Sequence, residues 1–214
     1  MTIDLAGTAC LLDLASTITA AGPPAVDRWE VGPVFDGWAA QPGLREGLRH
    51  HLRTLGPQEE RLLVTRSRET TTHFAWCLRD EPTEPFTFWL HEYKPQRDWR
   101  HGYADSVHNH RYHFCTTILS GGYLHERYTA RLGDGDRTIL SAALLRRAEC
   151  RTGATGTMLA HEFHRIPRAE DDTMTFLVKS RAVSPWSLSY DPDTLTSHRH
   201  VPVESRLEEL TNQL

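Results

Sequence analysis

Histidine is the residue type whose number and spacing point most directly to chemistry in this sequence. The chain contains 13 histidines, and His108 and His110 stand two residues apart in the segment GYADSVHNHRYHFC. Neutral imidazole is the commonest metal ligand near neutral pH. Alternate residues of a β-strand point to the same face, so these two side chains can reach one ion while Asn109 and Arg111 point away. The spacing therefore predicts a metal site that takes its third ligand from elsewhere in the chain.

The elements that must position this site change character near residue 60. Residues 1–58 carry apolar residues at helical spacing and predict a helical N-terminal extension. Residues 59–185 contain short β-branched and apolar runs between turn signals, which is typical of an all-β sandwich or barrel. Residues 186–214 predict a polar tail packed on that barrel. The predicted strands are Arg61–Thr65, Thr71–Leu78, Phe86–Tyr93, Ser106–His110, Phe114–Leu119, Tyr123–Thr129, Arg137–Leu145, Thr157–Phe163 and Thr173–Val178.

The segment around the two histidines resembles the first motif of the cupin family. In that motif a glycine precedes His-x-His by five residues, a glutamate follows after three or four residues, and a second glycine follows six residues later. Gly102, His108, His110 and Gly122 match these places when four residues separate His110 from Cys115, which occupies the glutamate position. The resemblance implies a mainly β fold, a cupin-type double-stranded β-helix or jelly-roll barrel around one metal ion.

The second cupin motif suggests the third ligand. When its histidine is set at His164, Gly153 falls on the first glycine, while Leu159, His161 and Arg168 replace other characteristic residues. Setting the histidine at His161 instead loses the match at Gly153. The resemblance therefore favours His164, and His161 remains the alternative.

Cysteine at the glutamate position is similar to the pattern of cysteine dioxygenase and related thiol dioxygenases, in which iron is held by three histidines. This resemblance implies Fe(II) on His108, His110 and His164, with O2 and a small amino-acid-like or thiol substrate at the open positions. Zinc or another divalent metal is the alternative, because a three-histidine site also suits Lewis-acid chemistry. In the animal enzymes this cysteine can be cross-linked to a later tyrosine, but the corresponding stretch here, FLVKSRAVSPW, contains none.

Three residues near the motif are candidates for a catalytic role. Cys115 is expected to line the cavity near the metal because it stands at the glutamate position. Tyr112 shares strand parity with the two histidines, and Tyr123 begins the strand after Gly122.

Four further residues are candidates for binding the substrate. His113 begins the predicted return strand within the motif, and His125 lies on the strand after Gly122, where it shares a face with Tyr123. Thiol dioxygenases use an upstream arginine to hold a substrate carboxylate through two parallel hydrogen bonds. The resemblance transfers that role to Arg79 or Arg100, with Arg127 as a rival.

Composition limits the other function classes. The net charge is −4, which does not indicate a nucleic-acid-binding surface. Four scattered cysteines do not form a disulfide framework, and the N-terminal apolar stretch lacks the positive residues of a signal peptide. No run approaches the length of a membrane span. A cytoplasmic protein with a small-molecule substrate is therefore expected, and the cupin resemblance makes a homodimer possible.

Two rival functions remain open at the level of sequence. A zinc or other divalent-metal cupin can act as a lyase, isomerase or bond-forming enzyme. A non-catalytic cupin can bind a small ligand, although it would not need the His-x-His pair.

Overall fold

The computed structural model describes residues 6–213, apart from the side chains of residues 6–9, 24, 204, 205, 208 and 209. Residues 1–5 and 214 of the predicted extension and tail lie outside the described residues. The first part of the described chain is helical. Its helices are α1 (Ala6–Ala20), α2 (Pro23–Asp27), α3 (Gly32–Ala39), α4 (Leu44–Arg53) and α5 (Pro57–Arg66).

One predicted strand is wrong because its residues belong to helix α5. The predicted strand Arg61–Thr65 lies inside this helix. The Glu59 carboxylate accepts a hydrogen bond from the Gly56 backbone N–H at 2.8 Å, and proline stands at the first helical position. These start signals outweigh the β-branched and apolar character of residues 61–65. The helical segment therefore continues past residue 58.

The rest of the described chain is mainly β-structure, with three 3₁₀ turns at Gln96–Asp98, Tyr103–Asp105 and Val203–Arg206 and a last helix, α6 (Leu207–Gln213). The strands are β1 (Arg68–Glu69), β2 (His73–Arg79), β3 (Phe86–Tyr93), β4 (Val107–His108), β5 (Phe114–Ser120), β6 (Gly122–Gly133), β7 (Thr138–Arg151), β8 (Thr155–Met158), β9 (Phe163–Ala169), β10 (Met174–Ser180), β11 (Ser187–Asp191) and β12 (Thr196–His200).

These strands form two antiparallel six-stranded sheets. The first sheet has the order β1-β2-β3-β10-β5-β8, and the second has the order β12-β11-β4-β9-β6-β7. Both sheets contribute side chains to one central cavity. The predicted all-β fold with two sheets around a shared interior is therefore confirmed.

The central strands of the first sheet are largely buried on both faces. Along β10, Phe176 and Val178 pack outward against the helices, and Leu177 and Lys179 point into the cavity. Phe176 is fully buried and its ring contacts those of Phe35 and Trp38 on α3. This two-sided burial explains the continuous apolar run Phe176–Val178 in the middle of β10, since neither face of the strand is exposed there.

Two stretches differ from the predicted strands. The predicted strand Thr157–Phe163 divides between β8 and β9, because a turn is closed by the hydrogen bond from the Glu162 N–H to the Leu159 carbonyl at 3.0 Å. The predicted tail contains two strands, and β11 pairs with both β12 and β4. The C-terminal segment thus forms one edge of the second sheet. No described helix has the length and apolar character required to cross a membrane.

Candidate metal centre

The side chains of the three histidines predicted as ligands meet on the cavity side of the second sheet. His108 on β4 is the antiparallel partner of His164 on β9, so their side chains lie next to each other on the same face. His110 lies just beyond the end of β4, and its ring centroid is 4.9 Å from that of His108 and 5.1 Å from that of His164. One ring nitrogen of each lies within 4.8 Å of the other two. His161, the alternative third ligand, is exposed and is not a member of this group.

Hydrogen bonds orient two of the three imidazoles. The Nδ1 of His108 lies 2.9 Å from the Ser106 carbonyl, so Nδ1 carries the proton and Nε2 keeps its lone pair. The Nε2 of His164 lies 2.8 Å from the Nε2 of His110, and its Nδ1 lies 3.1 Å from the Nε2 of His125. A cation between His110 and His164 would use both facing lone pairs. His164 would then donate its Nδ1–H to the His125 Nε2, which takes the place of the carboxylate or carbonyl that commonly orients a metal-binding histidine.

Burial keeps these imidazoles neutral. Removal from water lowers the pKa of His108 to about 4. The same desolvation, followed by the charges of neighbouring histidines, holds the pKa values of His110 and His164 well below the usual value. Burial also lowers the pKa of His125 to about 4. Neutral imidazole is the form that binds a metal, so the donor set fits a divalent cation.

Cys115 does not line the cavity, which corrects the sequence interpretation. Its side chain is fully buried in the core between the first sheet and the helices, with Sγ 3.4 Å from the Thr157 hydroxyl. Burial raises the pKa of this thiol to about 11, so the thiol is not poised for chemistry. Phe114 faces the cavity instead, with its ring 5.1 Å from that of His110. The three-residue spacing of the motif, not the four-residue spacing, matches the parity of β5.

The two predicted tyrosines both line the cavity. The Tyr112 ring stacks on His110 at 5.1 Å, and Tyr123 lies 6.2 Å from His125. Tyr103 was not predicted, yet its ring lies 4.5 Å from that of His108 and its hydroxyl donates to the Asn109 carbonyl. Its position follows from the 3₁₀ turn before β4, which no motif signals.

Of the three arginines considered for substrate binding, only one lines the cavity that contains the candidate ligands. Arg79 is paired with Glu84 at 2.7 Å and Arg100 with Glu69 at 3.2 Å, and neither lines the cavity. Arg127 does line it, because it is the cross-strand partner of His164. Its guanidinium is already bound to Glu162 at 2.8 Å.

The two predicted substrate histidines occupy different places. His125 lines the cavity and supports His164. His113 lies outside the cavity lining, where its Nδ1 accepts a hydrogen bond from the Ala160 N–H at 2.8 Å. Of these two histidines, only His125 is therefore brought next to the three candidate ligands.

The cavity is large enough for a small molecule. Its volume is about 680 Å³, within the range of ligand pockets. Sequence reasoning missed several of its polar side chains, namely His73, His91 and Lys179 on the first sheet. They stand at alternating strand positions, which is the signal that could have placed them on the inner face.

Comparison with known proteins does not assign a chemical activity to this chain. No protein-family model and no curated protein matches the chain. Solved structures with similarity include an oxalate decarboxylase–formate complex from Lactobacillus farciminis (16% identity, TM-score 0.37, covering 55% of this chain and 31% of that one). Others are the 7S globulin of Momordica charantia (10%, 0.40, 64% and 35%) and Streptomyces albus HEPD with 2-hydroxyethylphosphonate and Fe(II) bound (10%, 0.37, 53% and 22%).

The chain therefore spans about a third or less of the length of the first and last of these proteins, and 35% of the globulin. At these TM-scores and identities the similarities assign neither a family nor an activity. The chemical interpretation depends on the three histidines and their surroundings.

Proposed function

We propose that this protein is a metal-dependent cupin enzyme, and specifically a non-haem Fe(II) oxygenase acting on a small amino-acid-like or thiol substrate. The observation that carries the proposal is the group formed by His108, His110 and His164, whose ring nitrogens lie within 4.8 Å of one another in a largely buried cavity. When bound there, Fe(II) would keep its positive charge and open positions, and would supply one-electron chemistry with O2 beside a coordinated substrate.

The chain's own residues have three tasks in this proposal. The Ser106 carbonyl and His125 fix the rings of His108 and His164, which presents their lone pairs to a single point. Phe114 fills the position of the glutamate in the first cupin motif, so the ligand set stays neutral. The Phe114 and Tyr112 rings also keep water from the side of the site next to His110.

Metal analysis of anaerobically purified protein tests the proposal first. We expect about one iron per chain, lost in His108→Ala, His110→Ala and His164→Ala, whereas His161→Ala should keep it. Circular dichroism and thermal unfolding would verify that each variant is folded. One zinc per chain instead of iron would favour the lyase or isomerase alternative, and metal-free wild-type protein that takes up no added Fe(II) or Zn(II) would refute a metal enzyme.

Oxygen consumption is the second arm of the test. The iron-loaded protein is expected to consume O2 when a panel of small thiols and amino acids is added, and the histidine variants are expected to consume none above the metal-free control. A protein that binds iron but consumes no O2 with any member of the panel would contradict the oxygenase assignment while leaving the metal site intact.

A further inference from the structure

A second group of nitrogen-bearing side chains lines the cavity on the first sheet, away from the β-sheet that carries His108 and His164. This group, the basic pole, consists of Arg68 on β1, His73 on β2, His91 on β3 and Lys179 on β10. The rings of His73 and His91 stack at 4.2 Å, and the Lys179 Nζ lies 3.2 Å from the Nε2 of His91. The Arg68 guanidinium lies over the Trp89 ring at 4.9 Å, and the Lys179 Nζ lies over the same ring at 4.3 Å. Side chains from four strands therefore meet in one part of the cavity wall.

Lys179 is the unusual member because it is buried without a counter-ion. Only 3% of the residue is exposed, and its Nζ lies over the rings of Trp89 at 4.3 Å and Tyr112 at 5.2 Å. Buried charges in proteins are normally paired. Within the part of the chain that the structure describes, neither Lys179 nor Arg68 forms an ion pair with a carboxylate.

The cavity lining offers no carboxylate for this role. Among the described residues that line it, the single carboxylate belongs to Glu69, which is paired with Lys94 and Arg100. Desolvation, followed by the charge of Arg68, holds the pKa of Lys179 well below its usual value. The basic pole thus presents the Arg68 guanidinium without a carboxylate partner among the described residues, and an anion bound beside Lys179 would favour the charged form of that lysine.

We propose that the basic pole binds the carboxylate of a small substrate whose other end coordinates the metal held by the three histidines. One aromatic ring bridges the two sites, because Tyr112 stacks on His110 and also lies under the Lys179 ammonium. The substrate class is accordingly a short acid with a metal-binding donor separated from its carboxylate by a few atoms. This inference rests on the proposed metal function and names the substrate class of that site.

Isothermal titration of Co(II)-loaded protein tests the proposal with a matched pair of probes. Glutarate has two carboxylates, and its monoamide, glutaramate, has one carboxylate of similar size and a neutral end. When one carboxylate of either probe binds the metal, the two probes differ only at the other end. That end is a charged carboxylate in glutarate and a neutral amide in glutaramate, and it is the end that would reach the basic pole. We expect the wild type to bind glutarate about tenfold more tightly than glutaramate, as an additional charged hydrogen bond would give.

Two variants and one control locate the effect. Lys179→Met and Arg68→Met are each expected to reduce the preference to about twofold or less, which a single lost charged contact would produce. Arg68 is exposed, so its variant should fold even if the change at Lys179 does not. Arg146 is a cavity-lining arginine on β7, in the other sheet, and Arg146→Met should keep the preference.

The outcomes separate this proposal from the metal function. No preference in the wild type, or an undiminished preference in the folded variants of the basic pole, overturns the inference. An equal loss of the preference in Arg146→Met also overturns it, because the preference would then come from the overall positive charge of the cavity and not from the basic pole. If the protein retains no Co(II), the metal function fails, and the comparison is repeated on metal-free protein with butyrate and butyramide. Tighter binding of butyrate that depends on Lys179 would then still support the basic pole, and its absence would reject it.

Discussion

The hydrogen bond between His125 and His164 is the contact whose loss should reveal most about the metal centre. His125 Nε2 lies 3.1 Å from the Nδ1 of His164, and the two are brought together by a register shift between β6 and β9 at residues 124–126. In the metal-bound state, the His164 Nδ1–H would donate to His125. His125→Phe keeps the ring shape and removes the acceptor, whereas His125→Gln keeps a polar group with an acceptor oxygen.

Two independent arguments give the size of the effect. Loss of a hydrogen-bond partner behind a metal ligand typically weakens metal binding 10- to 100-fold, which corresponds to about 1.4–2.7 kcal/mol. A buried donor left without a partner costs about 1–3 kcal/mol, and His164 is only 5% exposed. We therefore expect His125→Phe to bind Co(II) roughly 10- to 100-fold more weakly than the wild type.

Competition with a coloured chelator at fixed pH measures this change directly. His125→Gln should recover most of the affinity, and His161→Gln should bind as the wild type does, because His161 is exposed and apart from the three ligands. If His125→Phe binds Co(II) within about twofold of the wild type, the hydrogen bond does not orient His164. An equal loss in His161→Gln would show that the effect is not specific to this contact.

Three further changes test other parts of the fold. Phe176→Ala removes a fully buried ring between sheet and helices and should lower the free energy of unfolding in urea by about 3–5 kcal/mol, whereas Leu145→Ala at an exposed site should change it by less than about 0.5 kcal/mol. Burial lowers the pKa of His73 to about 3, so below pH ~6.5 the unfolded chain binds a proton that the folded protein does not, and stability falls by about 2 kcal/mol at pH 5 from this group. Urea titrations of metal-free His73→Phe at pH 7 and pH 5 should show a smaller fall than the wild type, and an equal fall would exclude this residue as a cause. Phe114→Glu places a carboxylate beside His110, so its Tm should drop without metal and rise more than that of the wild type on addition of Mn(II), because the buried charge then has a partner.

The three histidines of the proposed metal centre could be placed together from the sequence because most of their signal is local. Two histidines at alternate strand positions need only a short stretch of β-structure to share a face, and His164 followed from its distance to Gly153. The glutamate position could not be settled in the same way. The motif allows three or four residues after His110, and the turn through Tyr112 and His113 decides the parity of β5. A shift of one residue exchanges Phe114 for Cys115 at the cavity wall.

Two of the features that sequence reasoning missed depend on tertiary contacts, and a third depends on a local helix start. Strand β11 reads SLSYD, and it is buried because its polar groups find partners on neighbouring segments. The Leu188 N–H donates to the Asn109 Oδ1 at 2.6 Å, and the Ser189 hydroxyl lies 2.7 Å from the His200 Nε2. Lys179 ends an apolar run and looks like a residue that returns to solvent, yet β10 lies in the middle of the first sheet. Residues 61–65 have strand-like composition, but a helix start at Pro57 governs them. Neighbouring strands decide the outcome in the first two cases, whereas residues 61–65 follow a local helix start that outweighs their strand-like composition.

The helical layer over the first sheet has a consequence for what counts as the smallest folding unit. Phe86, Phe88, Phe176 and Val178 would meet water if the helices were removed, because Leu14, Ile18 and Phe35 cover them. A fragment restricted to the two sheets would thus present a broad aromatic surface, and we expect it to self-associate. Outward and inward residues alternate on β10, so a loss of packing between the helices and Phe176 or Val178 would also displace Leu177 and Lys179 on the cavity side. The helices therefore help to hold the cavity wall that faces the three histidines in place.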